Sequence, residues 1–206
     1  MSPASPPMNR PQGPGRTQLI LLAVLFFTPF IGAWLLYFYF PQMRPTSTTN
    51  YGELVTPLRE LPTWAWVKPD GSTATTAELR NKWTLLQLAP VDCDPACADR
   101  VLLSRQLRTA LAANRDLVQR VLLLRDAAAL PGLQQRLAAE HPDLLLRAPT
   151  ADAAIDRGFF GPSQPLALYL IDPFGNYMMV YPDRGTQEDF KGMKKDFKRL
   201  LKQSSN

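Results

Sequence analysis

The sequence predicts an α/β fold, a domain with a central mixed sheet and helices on both faces, set behind one N-terminal transmembrane helix. Three observations predict it. The stretch Thr17 to Phe40 runs for 24 residues without an Asp, Glu, Lys, Arg or His. Beyond it, short apolar runs alternate with amphipathic helical patterns, as strand–helix–strand units do. The last quarter of the chain then changes to two neighbouring strands and a closing helix.

The apolar stretch exceeds the roughly 20 residues that a helix needs to cross the hydrocarbon core. A cleavable signal peptide would have a shorter apolar region and end in small residues. This one ends in Trp34, Tyr37, Phe38, Tyr39 and Phe40, rings that suit a membrane interface. Arg10, Arg16 and the terminal amine precede the helix, and Arg44 follows it among later acidic residues. That bias places the N-terminus in the cytoplasm and the large domain outside, in the periplasm of a cell with an inner membrane. The chain carries a net charge of +5. No nucleic-acid motif accompanies that charge, so an anionic membrane surface or an acidic partner is the more economical reading.

Residues 1–16 are dominated by Pro, Ser and Gly and read as a disordered tail. Residues 17–40 are the transmembrane helix, 41–62 a proline-spaced linker, and 63–206 one domain, a size that buries a substantial core. Within the domain, residues 64–67 form a short strand before the turn Pro69-Asp70-Gly71. Residues 83–89, WTLLQLA, form a buried strand ending at Pro90. A helix follows, with Asp94 as its cap, Pro95 at its first position, and Leu103, Leu107, Ala110 and Leu111 along its core stripe. Residues 117–124 form a second buried strand, 130–140 a shorter helix and 143–149 another short strand. Residues 167–172 and 177–181 make a hairpin around Pro173-Phe174-Gly175-Asn176. The closing helix, 187–202, buries Phe190, Met193, Phe197, Leu200 and Leu201 and presents Lys191, Lys194, Lys195, Lys198 and Lys202. A solvated face, lipid headgroups and an acidic partner are the readings of that basic side. A βαβ unit followed by ββα is the thioredoxin arrangement.

Chemistry concentrates at Cys93 and Cys97, the only cysteines, at the junction of a buried strand and a helix N-terminus. At this spacing the Cα atoms lie roughly 6 Å apart, within reach of a disulfide. The same spacing lets two thiolates hold one soft ion such as Cu(I). The helix N-terminus favours a thiolate, while Asp92 and Asp94 oppose it. A static structural disulfide is the plain alternative, although closing so small a loop removes little chain entropy.

The segment NKWTLLQLAPVDCDPAC (81–97) resembles the Gly-Lys-Trp, hydrophobic strand and CxxxC segment of the Sco/SenC family. LALYLIDPFGNYMMVYP (166–182) resembles that family's tyrosine strand, Asp-Pro-x-Gly turn and following strand, and the N-terminal anchor also matches. The resemblance covers about residues 62–203 and rests on the order of segments more than on CxxxC alone. It implies a membrane-anchored thioredoxin-like protein that assists copper insertion during cytochrome c oxidase assembly. It implies copper at Cys93 and Cys97, and a protein partner such as an oxidase subunit or a copper-delivery protein. Two departures qualify this. The family's copper-site histidine precedes the tyrosine strand, where this chain has Gln164, so a Cu(II) site of the family type is not expected. The only histidine, His141, lies in another segment and reads as a surface or capping residue. Met178 and Met179 are available as soft thioethers but read as core. The family's proline after the second cysteine is replaced by Ala98, whereas Pro165 takes the place of the thioredoxin cis-proline that faces the cysteine pair. Gln164 and Pro165 are therefore the expected substrate-binding residues, an ordinary trans-proline at a strand start being the other reading.

The functional expectation is a thiol–disulfide or Cu(I)-handling assembly factor, with Cys93 attacking and Cys97 resolving. A non-catalytic scaffold that has lost full copper chemistry is the alternative. A peroxidase is disfavoured, because Pro90 stands where a Thr-x-x-Cys motif would place threonine.

Overall fold

The structure is a computed structural model describing residues 15–39, 50–90, 93–150, 157–161, 164 and 166–204. The described residues divide into two units, one within residues 1–48 and one within 49–206. In the first, α1 (Arg16–Tyr39) is a continuous helix with Pro29 inside it, long and apolar enough to cross a bilayer. Its side chains are exposed throughout, as expected of a helix whose solvent is lipid.

The second unit is built on one eight-stranded sheet in the order β1-β8-β7-β4-β5-β6-β2-β3. The strands are β1 (Glu53–Glu60), β2 (Ala65–Val67), β3 (Thr73–Thr75), β4 (Trp83–Leu88), β5 (Val118–Leu123), β6 (Leu144–Pro149), β7 (Leu168–Ile171) and β8 (Asn176–Tyr181). β4, β5 and β6 are parallel neighbours, and the other pairs are antiparallel. The β2–β3 turn is held by Asp70 Oδ1, which accepts from the Ser72 amide at 2.9 Å and its hydroxyl at 2.6 Å. In the β7–β8 turn Asp172 Oδ1 accepts from the Phe174 and Asn176 amides, while Gly175 adopts φ +95°, a conformation costly for any other residue.

Strand parity sorts the core. Leu85, Val118, Leu122, Leu168, Leu170 and Met179 face one side, where α2 (Pro95–Ala110), α3 (Leu130–Leu137) and α4 (Thr186–Ser204) pack. Both parallel crossovers, β4-α2-β5 and β5-α3-β6, step in the same direction, and right-handed connections therefore put their helices on the same face. Leu86, Val121, Leu123, Tyr169 and Tyr177 face the other side. Its helical cover consists of short 3-10 turns, Thr76–Leu79 and Arg157–Phe160, with Trp64 and Phe160 filling the space between.

Within the span 41–62 expected as linker, residues 53–60 form strand β1 at the sheet edge. Its side chains are mostly exposed, and its register against β8 shifts between Leu54 and Arg59, around Pro57. Edge strands tolerate proline, and main-chain pairing needs no hydrophobic alternation, so the pattern concealed it.

Candidate functional site

The site begins where β4 ends. Asp94 caps α2, its Oδ1 accepting from the Cys97 amide at 2.9 Å, with Pro95 at the start of the helix. Cys93 stands just outside the helix at φ +36°. This brings the two Cα atoms to 5.0 Å, closer than two positions on one helical turn, and the sulfurs form a disulfide. Both cysteines are buried, Cys97 at 0% exposure and Cys93 at 5%, so Cys93 is the more exposed residue of the two.

Gln87 reaches this bridge from β4. It is the one amide in an otherwise apolar inward row, buried at 3% exposure, and its Nε2 donates to the Cys97 carbonyl at 3.1 Å and to Cys97 Sγ at 3.4 Å. An N–H aimed at this sulfur stabilises a thiolate there more than it stabilises a disulfide sulfur. The sequence signal was present, since a glutamine with the same parity as Trp83 and Leu85 must face the helix side of the sheet.

Beside the bridge lies a cavity of about 500 Å³ lined by Ala89, Pro90, Asp94, Gln164, Leu166 and Tyr169, among others. The lining Tyr169 ring is backed by Phe160, the two ring centres 4.7 Å apart. Gln164 thus comes to the neighbourhood of the cysteine pair, and its Oε1 is buried without a hydrogen-bond partner. Pro165, Val91 and Asp92 lie outside the described residues. Leu166 is held by Arg100, one turn beyond Cys97 on α2 and 3% exposed. Arg100 Nε donates to the Leu166 carbonyl at 2.8 Å, where Leu166 holds φ +61°, and Nη1 pairs with the fully buried Asp189 of α4. Asp189 also accepts from the Tyr51 hydroxyl at 2.6 Å. Burial, followed by that carboxylate, raises the Tyr51 phenol to about 12. No sequence pattern had singled out Arg100.

The donor set tests the copper expectation. Among the described residues no group of three or more His, Cys, Asp or Glu converges. His141 precedes β6, so in a parallel array it lies at the end of the sheet opposite the cysteines. It is buried rather than on the surface, and its amide donates to the Leu137 carbonyl at the end of α3. Met179 packs with Trp83 and Leu103, and Met178 against the same cluster, away from the residues around the bridge. These residues fit no Cys₂His site. The donors that fit copper are the two sulfurs once reduced, a soft pair suited to Cu(I).

Together these features define a thioredoxin-like domain with a cysteine bridge at a strand–helix junction, opening beside a cavity, in a chain with one apolar helix long enough to span a membrane. The chain belongs to the family of transmembrane-like, thioredoxin-like C-terminal domains, whose family model matches residues 83–204. Its fold is shared with solved Sco structures. Apo Sco1 of Thermus thermophilus aligns with a TM-score of 0.61 at 18% identity, covering 75% of this chain and 99% of that one. Copper-bound yeast Sco1 aligns with a TM-score of 0.57 at 19% identity, over 72% and 95% of the two chains. BsSco, a Sco-family cytochrome c oxidase assembly protein in which a disulfide switch was identified, aligns with a TM-score of 0.51 at 15% identity, over 69% and 94%. No curated protein matches the sequence.

Proposed function

We propose that this chain is a membrane-anchored thioredoxin-like assembly factor for cytochrome c oxidase that works by reversible opening of the Cys93–Cys97 bridge. The observation that carries this reading is the bridge itself, set at the capped N-terminus of α2 with the Gln87 amide on Cys97. The copper-bound and disulfide-switching Sco relatives support the setting. In the reduced state the Cys93 thiolate attacks a target disulfide and releases one target thiolate. The Cys97 thiolate then attacks Cys93 in the mixed disulfide and releases the second. Two electrons pass to the target and the bridge re-forms; a dithiol reductant then opens it again, becoming a disulfide itself. The reduced pair also holds Cu(I) as cargo between two thiolates, so reduction of a target and its metallation are two separate visits of the same site, with re-reduction of the bridge between them. The N-terminus is cytoplasmic and the domain stands on the oxidising side of the inner membrane, in the periplasm. Gln164, in the position of the family's histidine, favours a second reading, a scaffold in the same pathway without copper chemistry.

The test uses the reduced full chain in micelles beside a Cys93→Ala, Cys97→Ala variant. The expected result is rapid exchange with a disulfide-containing peptide and one equivalent of Cu(I) bound, both lost in the variant. A chain that neither exchanges nor binds Cu(I) leaves only the scaffold.

A further inference from the structure

We propose that the lysine stripe of α4 docks on an anionic phospholipid surface. Five of the chain's seven lysines lie on this helix, and the other two are Lys68 and Lys82; elsewhere the chain's cations are almost all arginine. Lys191, Lys195, Lys198 and Lys202 follow one another at intervals of four, three and four residues and are all exposed. That spacing confines them to roughly 60° of the helix circumference along about 17 Å. Met193, Phe197 and Leu201 are buried on the opposite side. Lys194 flanks the stripe, its ammonium 5.6 Å from the centre of the Phe190 ring.

The helix's own carboxylates do little to neutralise this row. Asp189 and Asp196 are buried, the first pairing with Arg100 and the second accepting from the Tyr51 and Gly52 amides. Glu188 alone is exposed, at the N-terminal end. Among the described residues no ion pair engages Lys191, Lys195 or Lys198. A protein partner would need an apolar anchor at the centre of its interface, and the stripe contains none. A headgroup surface asks only for a row of compact, mobile positive charges, which is what lysine supplies. The partner is also close at hand. The chain entering the domain lands on this same helix, the Tyr51 ring packing directly against Gly192. A bilayer that holds α1 therefore stands at high effective concentration to α4. The inference rests on α1 being the anchor and is independent of the cysteine chemistry.

The experiment places the full chain in nanodiscs of phosphatidylcholine alone or mixed with phosphatidylglycerol and follows amine acylation of each lysine by mass spectrometry. Severalfold protection of Lys191, Lys195 and Lys198 is expected only with phosphatidylglycerol, reversed by high salt, with Lys68 and Lys82 unchanged in every condition. One lysine at a bilayer surface is worth about a fivefold gain in association, so Lys195→Gln with Lys198→Gln should weaken the association sensed at Lys191 by about thirtyfold. Equal labelling in both lipids would overturn the proposal, as would protection that salt does not reverse; an acidic protein as the true partner would give the first of these.

Discussion

Replacing Gln87 by methionine removes the amide from the bridge while nearly keeping its volume. The amide contacts Cys97 Sγ at 3.4 Å, a long bond to a diffuse acceptor, from a side chain that water does not reach. A hydrogen bond to a charged group is worth about 1.5–3 kcal/mol and one to a neutral group about 1 kcal/mol; at this length the lower figure applies. The bond matters for redox balance only through the difference between its strength on a thiol or thiolate and on a disulfide. Because the reduced sulfur is the better acceptor, the variant should favour the disulfide by at most about 1 kcal/mol, which for two electrons is a shift of up to about 20 mV toward more negative potential. Equilibration of the full chain in glutathione buffers, quenched with an alkylating reagent and read by mass spectrometry, measures this directly. An unchanged potential, or a rise, would mean that Gln87 fills space and does not act on the sulfur.

Three further outcomes follow from the same geometry. Arg100→Met leaves the buried Asp189 without its cation and frees the Leu166 carbonyl, so urea unfolding should show a loss of about 3 kcal/mol or more, largely recovered by adding Asp189→Leu; a loss under about 1 kcal/mol would mean the pair is not dry. Asp94→Ala removes the cap on the Cys97 amide and should cost about 1 kcal/mol, seen as a fall of a few degrees in thermal midpoint. Burial, aided by the charges of Arg120 and Arg105, holds His141 below its ordinary 6.5. The unfolded chain then takes up its proton at a higher pH than the folded chain does. Stability should accordingly fall as pH drops from 7 toward 5, by up to about 1.4 kcal/mol per unit. His141→Leu should abolish that slope, and equal slopes in both proteins would assign it elsewhere.

The sequence was most legible where local chemistry and the global fold agree. Asp94-Pro95 marked the start of α2 because a cap and a proline belong there whatever surrounds them. The Asp172 turn and the apolar face of α4 were equally local signals. What escaped notice depends on partners distant in sequence. β1 is a strand because β8 has a free edge, and nothing in its exposed side chains records that. Arg100 reads as a solvated helical cation until Asp189, 89 residues later, is placed beside it. Gln164 was singled out as a departure from a metal site, and the structure brings it to the cavity beside the bridge with an unpartnered amide oxygen. The expected role of Pro165 falls outside the described residues and stays a proposal.

The proposed exchange requires the Cys93–Cys97 bridge to be a working couple and not a fixed staple. The most direct measurement is the reduction potential of that bridge in the full chain, held in a bilayer disc and titrated against glutathione. The expected result is a single reversible two-electron transition inside the range that glutathione buffers can poise, absent from the Cys93→Ala, Cys97→Ala variant. A bridge that stays oxidised across that whole range would contradict it.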